Sequence, residues 1–151
     1  HSTSRRQRQM CIRDSYYTLT NPANAPSPII VSYYDGKNGG LAQASGRGYT
    51  RTQFQNPSIT APGINVKGAL PGGRFTVRSG SCISTAITAG AVALMLEWEL
   101  EQKNITGIDV FQIKSLLILG AIRPDFLEYP NREWGYGQLN LYNTFEAMRQ
   151  L

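Results

Sequence analysis

The sequence predicts an α/β fold, in which strands and helices form packed layers around one core. Short extended stretches bounded by glycine and proline occupy the first half, and two stretches with apolar residues three and four positions apart follow. The 151 residues suffice for one ordinary domain, and a composition of 41% hydrophobic and 17% charged residues indicates a buried core.

The net charge of +5 is concentrated at the N-terminus. Residues 1–15 hold four arginines and one aspartate, so residues 16–151 carry 11 bases and 9 acids. Because these bases are scattered along the sequence, we expect neither a nucleic acid nor a membrane as partner. Two cysteines and one histidine are too few for a disulfide framework or a zinc site, and no cofactor is indicated.

Residues 1–15 differ abruptly from the rest of the chain and show no apolar periodicity. This tract resembles translated sequencing-adapter read-through, and we exclude it from the fold. The alternative is a solvated, disordered basic tail. Under the first interpretation the genuine domain, residues 16–151, begins in its middle.

Strands are predicted where apolar stretches end at turn residues. Three prolines make residues 21–28 a connector, and residues 29–34 follow as a buried strand. Residues 58–60 form a short extended piece before a proline and a glycine. Residues 64–70 and 74–78 flank Pro71-Gly72-Gly73, which predicts a hairpin.

Helices are predicted from residue 82 onward. Residues 82–102 are apolar or small on every side up to Trp98, so the helix is expected inside a larger body. Three glutamates at its C-terminal end oppose the helix dipole and should reach water or a cationic partner: Glu97, Glu99 and Glu101. A second helix begins at Asp109, paired with Gln112, and stops at Gly120. Residues 139–141 suggest a short strand before a terminal helix.

The residues before the first helix have the chemistry of an activated nucleophile. Gly80 permits close approach of another chain, and the start of a helix stabilises an anion at Cys82. The same N–H groups can serve a developing oxyanion. The structural alternative is a glycine turn that precedes a buried cysteine.

Four segments in the right order resemble the subtilisin-like serine peptidases. Residues 80–90 are similar to the nucleophile motif Gly-Thr-Ser-x-Ala-x-Pro, which has a glycine eight residues after the serine. Ala61-Pro62-Gly63 matches the family's Ala-Pro-Gly turn, and residues 22–32 resemble the segment that follows the oxyanion-hole region. Residues 134–140 resemble the closing Gly-x-Gly stretch.

The resemblance implies the C-terminal portion of a subtilisin-like three-layer fold, with a mainly parallel sheet and a central buried helix. Residues 86–90, 97–98 and 129–137 look most like clostridial Csp-type and related Firmicutes subtilases. That group includes active proteases and pseudoproteases that act in spore germination. The compartment implied by the resemblance is a secreted or spore-associated bacterial one.

The resemblance also implies the site. Cys82 takes the position of the nucleophilic serine, its backbone N–H contributes to the oxyanion hole, and Gly80 and Ser81 bind substrate. Pro22 lies beside the primary specificity pocket and residues 19–21, which include Asn21, line it, with an ordinary loop as the alternative. The triad aspartate, the histidine and the oxyanion-hole asparagine would lie upstream, so the expected partners are a peptide or protein substrate and the missing N-terminal part of the domain. Calcium is common in the family, but no ligand is assignable here.

Two functions remain open at this point. The chain is either part of a serine-type endopeptidase or part of a catalytically inactive Csp-type regulatory protein, and alone it is predicted inactive because a general base is missing. Cys82 in place of serine fits a pseudoprotease, a thiol variant or a single-base sequence error.

Four aromatic residues are expected to pack rather than to bind ligand: Trp98, Tyr129, Trp134 and Tyr136.

Overall fold

A computed structural model describes residues 17–19, 23, 25–50, 54–103 and 107–150. It contains strands and helices in the predicted order and is an α/β structure. The elements are β1 (Val31–Tyr34), β2 (Ile59–Pro62), β3 (Val66–Leu70), β4 (Arg74–Arg78), α1 (Ser81–Trp98), a π-helical turn (Glu99–Lys103), α2 (Val110–Leu119) and α3 (Leu141–Arg149).

The central pair of strands is parallel. β1 lies beside β2 with Val31 opposite Ile59, and isolated bridges extend this sheet from Thr60 to Gln138 and from Gln138 to Ile122. The strand expected at 139–141 is therefore wrong in its bounds, because only Gln138 bridges and α3 begins at Leu141. The side chain of Asn140 caps α3 by accepting from the N–H of Asn143 at 3.0 Å.

One face of the parallel pair is covered by the loop of residues 129–137. The hydroxyls of Ser32 and Thr60 lie within hydrogen-bonding distance of each other. Ser32 Oγ lies 2.9 Å from the carbonyl oxygen of Glu133, and Thr60 Oγ1 lies 3.0 Å from that of Trp134. Both hydroxyls are buried, so these contacts satisfy polar atoms that water does not reach.

The hydrophobic core joins β2 to all three helices. Its most buried members are Ile59, Met95, Leu117 and Met148, with Ile113 beside them. Gly120, at the end of α2, lets α3 approach closely, since a Cβ there would lie 2.5 Å from the backbone nitrogen of Thr144. The helices and the sheet therefore form one packed body.

Helix α1 packs on β1 and β2 with one face only. Its buried residues are spaced four, three and four apart: Ser84, Thr88, Ala91 and Met95. The opposite side is exposed although it is also small and apolar, and it includes Cys82, Ala86, Ala89, Gly90, Ala93 and Leu94. The expected burial on every side is thus absent among the described residues. Ser81–Glu101 is long and apolar enough to cross a membrane by length and composition, which alone is weak evidence for a membrane span, and one face of this helix packs on the sheet.

The ends of the helices show one error and one confirmation. The α-helical part ends at Trp98, and the π-helical turn continues the helix to Lys103, which agrees with the predicted range of 82–102. Glu97 and Glu101 are exposed as expected, but Glu99 is only 8% exposed, so the prediction is wrong for this glutamate. The capping box of α2 is confirmed, because Asp109 and Gln112 exchange side-chain to backbone bonds of 2.8 Å each way.

Candidate active site

Cys82 lies at the start of α1, next to the carboxyl ends of the two parallel strands. The N–H of Gly63, just after β2, donates to the carbonyl of Tyr34 at the end of β1 at 3.0 Å. The N–H of Gly80 donates in turn to the carbonyl of Gly63 at 2.8 Å. These two bonds anchor the turn before Cys82 to the sheet edge at which open α/β folds bind ligands.

Glycine is required at both anchoring positions. A Cβ at Gly63 would lie 2.7 Å from Cβ of Tyr33 and 3.0 Å from the carbonyl oxygen of Gly80. Gly80 has φ of 152°, a conformation that side-chain-bearing residues rarely adopt. The Ala-Pro-Gly turn and the glycine before the helix are therefore two parts of one contact.

The first turn of α1 presents free backbone donors. Gly80 is the N-cap and supplies no side-chain cap, so the N–H groups of Ser81 and Cys82 have no intrahelical acceptor. The carbonyl of Ser81 accepts from Ser84 Oγ at 2.8 Å and from Thr85 Oγ1 at 2.9 Å. These two bonds tighten the turn, and the free donors can bind an anion.

The thiol of Cys82 is exposed and forms no disulfide. A Cβ built on Gly80 would lie 3.4 Å from Sγ, so the sulfur atom sits beside the glycine turn. This exposed position differs from the alternative of a buried cysteine behind a turn. Ser81 is exposed as well, and both side chains border open space.

The described residues supply no base for this thiol. The sequence has one histidine, His1, and it lies outside the described residues. Among the described residues, no three His, Cys, Asp or Glu side chains come together as metal ligands would. The geometry thus provides a nucleophile position and backbone donors, while a proton acceptor and a calcium site are not assigned.

Two predicted substrate-binding residues, Asn21 and Pro22, also lie outside the described residues. Their neighbour Ala23 is 5% exposed, and its carbonyl accepts from Asn56 Nδ2 at 2.9 Å. The role of Asn21 and Pro22 in a specificity pocket stays a prediction.

The aromatic residues pack against the body. Trp134 is 7% exposed, with its ring 5.6 Å from that of Tyr34, and Trp98 lies 6.2 Å from Phe145. The hydroxyl of Tyr129 is buried, and burial raises the pKa of Tyr129 although Arg123 opposes the change. This arrangement agrees with packing rather than with a ligand platform.

Sequence reasoning missed two features of this region. The hydroxyl contacts between the sheet and the 129–137 loop join residues about one hundred positions apart, and no local pattern signals them. Three basic residues, Lys67, Arg74 and Arg78, lie together on the hairpin of β3 and β4, which precedes Cys82. The available signal was the pair of arginines, Arg74 and Arg78, at the two ends of a predicted strand.

The chain is similar to known peptidases over most of its length. A family model described as the subtilase family matches residues 10–137. The structure of the CspB protease of Clostridium perfringens is 33% identical with a TM-score of 0.84, covering 90% of this chain and 30% of that one. Bacillopeptidase F of Bacillus subtilis strain 168 is 26% identical over 134 residues, 87% of this chain and 9% of its own length.

A eukaryotic relative shows the same pattern of coverage. The membrane-bound transcription factor site-1 protease of Mus musculus is 27% identical over 140 residues, 88% of this chain. The chain spans only 13% of that protein and under a third of the CspB protease. The match to the family model, the structural likeness to CspB and the glycine-anchored turn at Cys82 agree, and the chain belongs to the subtilase family.

Proposed function

We propose that this chain is the C-terminal, nucleophile-bearing portion of a subtilisin-like endopeptidase domain that hydrolyses peptide bonds through an acyl-enzyme. The observation that carries the proposal is the exposed Cys82 on the first turn of α1, beside free backbone donors and at the carboxyl ends of parallel strands. Membership of the subtilase family supports the reaction class.

The reaction assigns a role to each residue. Cys82 Sγ loses its proton to a base, forms a bond to the scissile carbonyl carbon, and its backbone N–H donates to the oxyanion. The C–N bond then breaks as the base returns the proton to the leaving amine, and water cleaves the resulting thioester. Gly80 and Ser81 contact the substrate through their backbone, and Asn21 and Pro22 border the primary specificity pocket.

The base and its orienting carboxylate belong to the part of the domain that precedes this chain. Histidine and aspartate complete the proton relay, and an asparagine completes the oxyanion hole. We therefore expect the 151-residue chain alone to be inactive towards peptides. Its partners are a peptide or protein substrate and that preceding part, and its compartment is secreted or spore-associated bacterial.

Cys82 favours a second candidate, an inactive Csp-type pseudoprotease with a regulatory or binding role in spore germination. Sulfur is larger than oxygen and forms longer bonds to carbon, so it fits poorly into a site shaped for serine. A thiolate also leaves a tetrahedral adduct more readily than an amine does, which returns the adduct to substrate. The structure of CspB is described as that of a protease, so the similarity to it supports the hydrolase, and the second candidate is supported by the cysteine at position 82.

Covalent labelling of the complete domain separates the two candidates. The probe is a fluorophosphonate, applied to the parent protein and to its Cys82→Ser, Cys82→Ala and Ser81→Ala variants, with iodoacetamide as the thiol control. We expect labelling of Cys82→Ser and none of Cys82→Ala. If Cys82→Ser stays unlabelled in a folded parent, the hydrolase proposal fails and the pseudoprotease is supported.

The Ser81→Ala variant is the matched control. Its side chain is exposed, as that of Cys82 is, and lies one residue away. Combined with Cys82→Ser it should be labelled as fully as the single variant. A loss of labelling in that double variant would move the nucleophile to Ser81 and contradict the assignment of Cys82.

A further inference from the structure

The hairpin of β3 and β4 stands apart from the packed body. Its two strands pair only with each other, and a Cβ built on Gly68 would meet nothing within 4 Å. Phe75 is 66% exposed and Val77 58%. A two-stranded hairpin with an uncovered apolar face is marginally stable in water, so a further strand or surface beside it would stabilise it.

β4 alternates polar and apolar side chains, and the polar positions at its two ends are arginines. The register places Phe75 opposite Ala69 and Val77 opposite Lys67, so these four residues share one face. Lys67 Nζ lies 4.6 Å from the centre of the Phe75 ring. Arg74 and Arg78 belong to the other face, at the two ends of the strand.

The charge on the hairpin has no local counterpart. The sequence contains six bases and no acid between residues 36 and 96, and three of those bases lie on the hairpin: Lys67, Arg74 and Arg78. The ion pairs within the described part of the chain are Arg47 with Glu133 and Arg149 with Glu146, and neither involves the hairpin. The outer edge of β4 is therefore a positively charged strand edge.

A second copy of this chain is a poor occupant for that edge. Antiparallel pairing of two β4 strands centred on Thr76 would put Arg74 of one copy opposite Arg78 of the other. Like charges directly across a strand pair are destabilising, and edge strands use such charges to prevent self-association. An acidic strand in the same place would form favourable cross-strand pairs.

We propose that the outer edge of β4 binds an extended peptide as a third strand, and that this peptide alternates polar and apolar residues with acidic residues at the two outer polar positions. Acidic side chains of the peptide lie beside Arg74 and Arg78, and apolar ones lie beside Phe75 and Val77. The inference rests on the proposed function in one respect, namely that the ligand is a polypeptide. Arg78 precedes Cys82 by four residues, at most about 14 Å of chain, so the bound segment adjoins the candidate nucleophile.

Fluorescence anisotropy on the 151-residue chain tests this site directly. The probes are fluorescein-labelled peptides with the core Glu-Val-Thr-Phe-Glu, its counterpart Lys-Val-Thr-Phe-Lys, and a scramble with the two glutamates adjacent. We expect the alternating acidic peptide to bind at least about tenfold more tightly than either other peptide at low salt. Equal binding of all three would overturn the proposal.

Charge reversal on the strand gives the decisive comparison. Arg74→Glu/Arg78→Glu should lose binding of the acidic peptide and gain binding of the lysine peptide, a result that a misfolded variant would not give. Lys37→Glu/Arg149→Glu changes the net charge equally at exposed positions outside the hairpin and should leave binding within about twofold. A similar loss in this control, or no gain for the lysine peptide, would refute the site.

A separate double variant tests the apolar contacts of the proposed site. Phe75→Thr/Val77→Thr keeps strand propensity and charge, and it should weaken the acidic peptide about fivefold or more. Unchanged affinity would mean that only charge is recognised and would overturn the peptide specificity. None of these measurements involves the thiol of Cys82, so the hairpin site and the hydrolase proposal can fail separately.

Discussion

Two regions of this molecule are built from similar small residues but differ in how many of their groups have hydrogen-bond or packing partners. The parallel sheet and the loop of residues 129–137 are held by many backbone and hydroxyl bonds, including Tyr136 N–H to Ser58 O at 3.2 Å and Gly48 N–H to Arg132 O at 2.7 Å. The outer side of α1 and the adjoining hairpin expose apolar surface instead, with Leu94 49% and Phe75 66% accessible. Cys82 lies on the exposed side.

This difference shows that the packing of α1 is complete on its sheet side and incomplete on its outer side. Alanines and glycine on the outer side of α1 give no advantage in water, whereas they let another element approach closely. Under the proposed function, the preceding part of the domain that supplies the proton relay would also cover the outer side of α1. The packed region fixes the position of Cys82, and under the proposed function the remaining groups of the site would lie against the outer side of α1.

The largest contrast is expected between neighbouring residues of α1. Met95 is fully buried and Leu94 is half exposed. Met95→Ala should lower the free energy of unfolding by about 2–5 kcal/mol because it leaves a cavity in the core. Leu94→Ala should change it by less than about 1 kcal/mol. Urea denaturation of the 151-residue chain followed by circular dichroism measures both. Equal losses would mean that the outer side of α1 is covered.

Two glycines give the next contrast. A Cβ at Gly120 would lie within 2.6 Å of the Thr144 backbone, whereas one at Gly90 meets nothing within 4 Å. Gly120→Ala should destabilise the chain by about 1–3 kcal/mol through overpacking. Gly90→Ala should stabilise it by up to about 1 kcal/mol, since alanine favours the helix. Thermal melting shows the opposite signs, and destabilisation by Gly90→Ala would contradict an open helix face.

Hydroxyl removal compares the two regions more finely. Thr60→Val leaves the buried carbonyl of Trp134 without its partner and should cost about 1–3 kcal/mol. Thr85→Val removes a hydroxyl bond to Ser81 O at an exposed position, where water replaces it, and should cost under about 0.5 kcal/mol. The midpoints of urea unfolding report the difference. Similar midpoints for both variants would show that the loop contacts contribute little.

The smallest effect is a dependence on alkaline pH. Burial raises the pKa of Tyr34 above its ordinary value of 10.0, so the folded state holds this proton more tightly than the unfolded state does. The stability that Tyr34 contributes in this way is fully present below pH 10 and is lost as the pH rises through the pKa of Tyr34 in the folded state. Tyr34→Phe should therefore lose less stability between pH 9 and pH 11.

Lys114 should change the stability with rising pH in the opposite direction to Tyr34. Burial lowers the pKa of Lys114, so the folded state holds its proton less tightly and stability rises as the pH approaches 10.5. Lys114→Met should remove this rise and leave a steeper alkaline loss. Denaturation midpoints at several pH values measure both variants, and parallel curves for Tyr34→Phe and the parent chain would contradict the assignment.

Local chemistry made several elements predictable. The β3–β4 turn follows from Pro71-Gly72-Gly73, where two successive glycines have positive φ, and α2 follows from the Asp109 capping box. The spacing from Cys82 to Gly90 and the Ala-Pro-Gly turn carried the family resemblance, which the family match confirms. Each of these signals spans a few residues, and the β3–β4 turn and the capping box are dictated by backbone geometry within that span.

The tertiary structure alone decided the remaining features. The sequence of α1 is apolar on every side, so it could not indicate which side the described chain would bury. Glu99 is 8% exposed at the start of the π-helical turn, and Ser32 meets the carbonyl of Glu133 across 101 positions. The physical reason is that burial and long-range pairing depend on which elements meet in space, whereas turns and caps are determined by bonds between neighbouring residues.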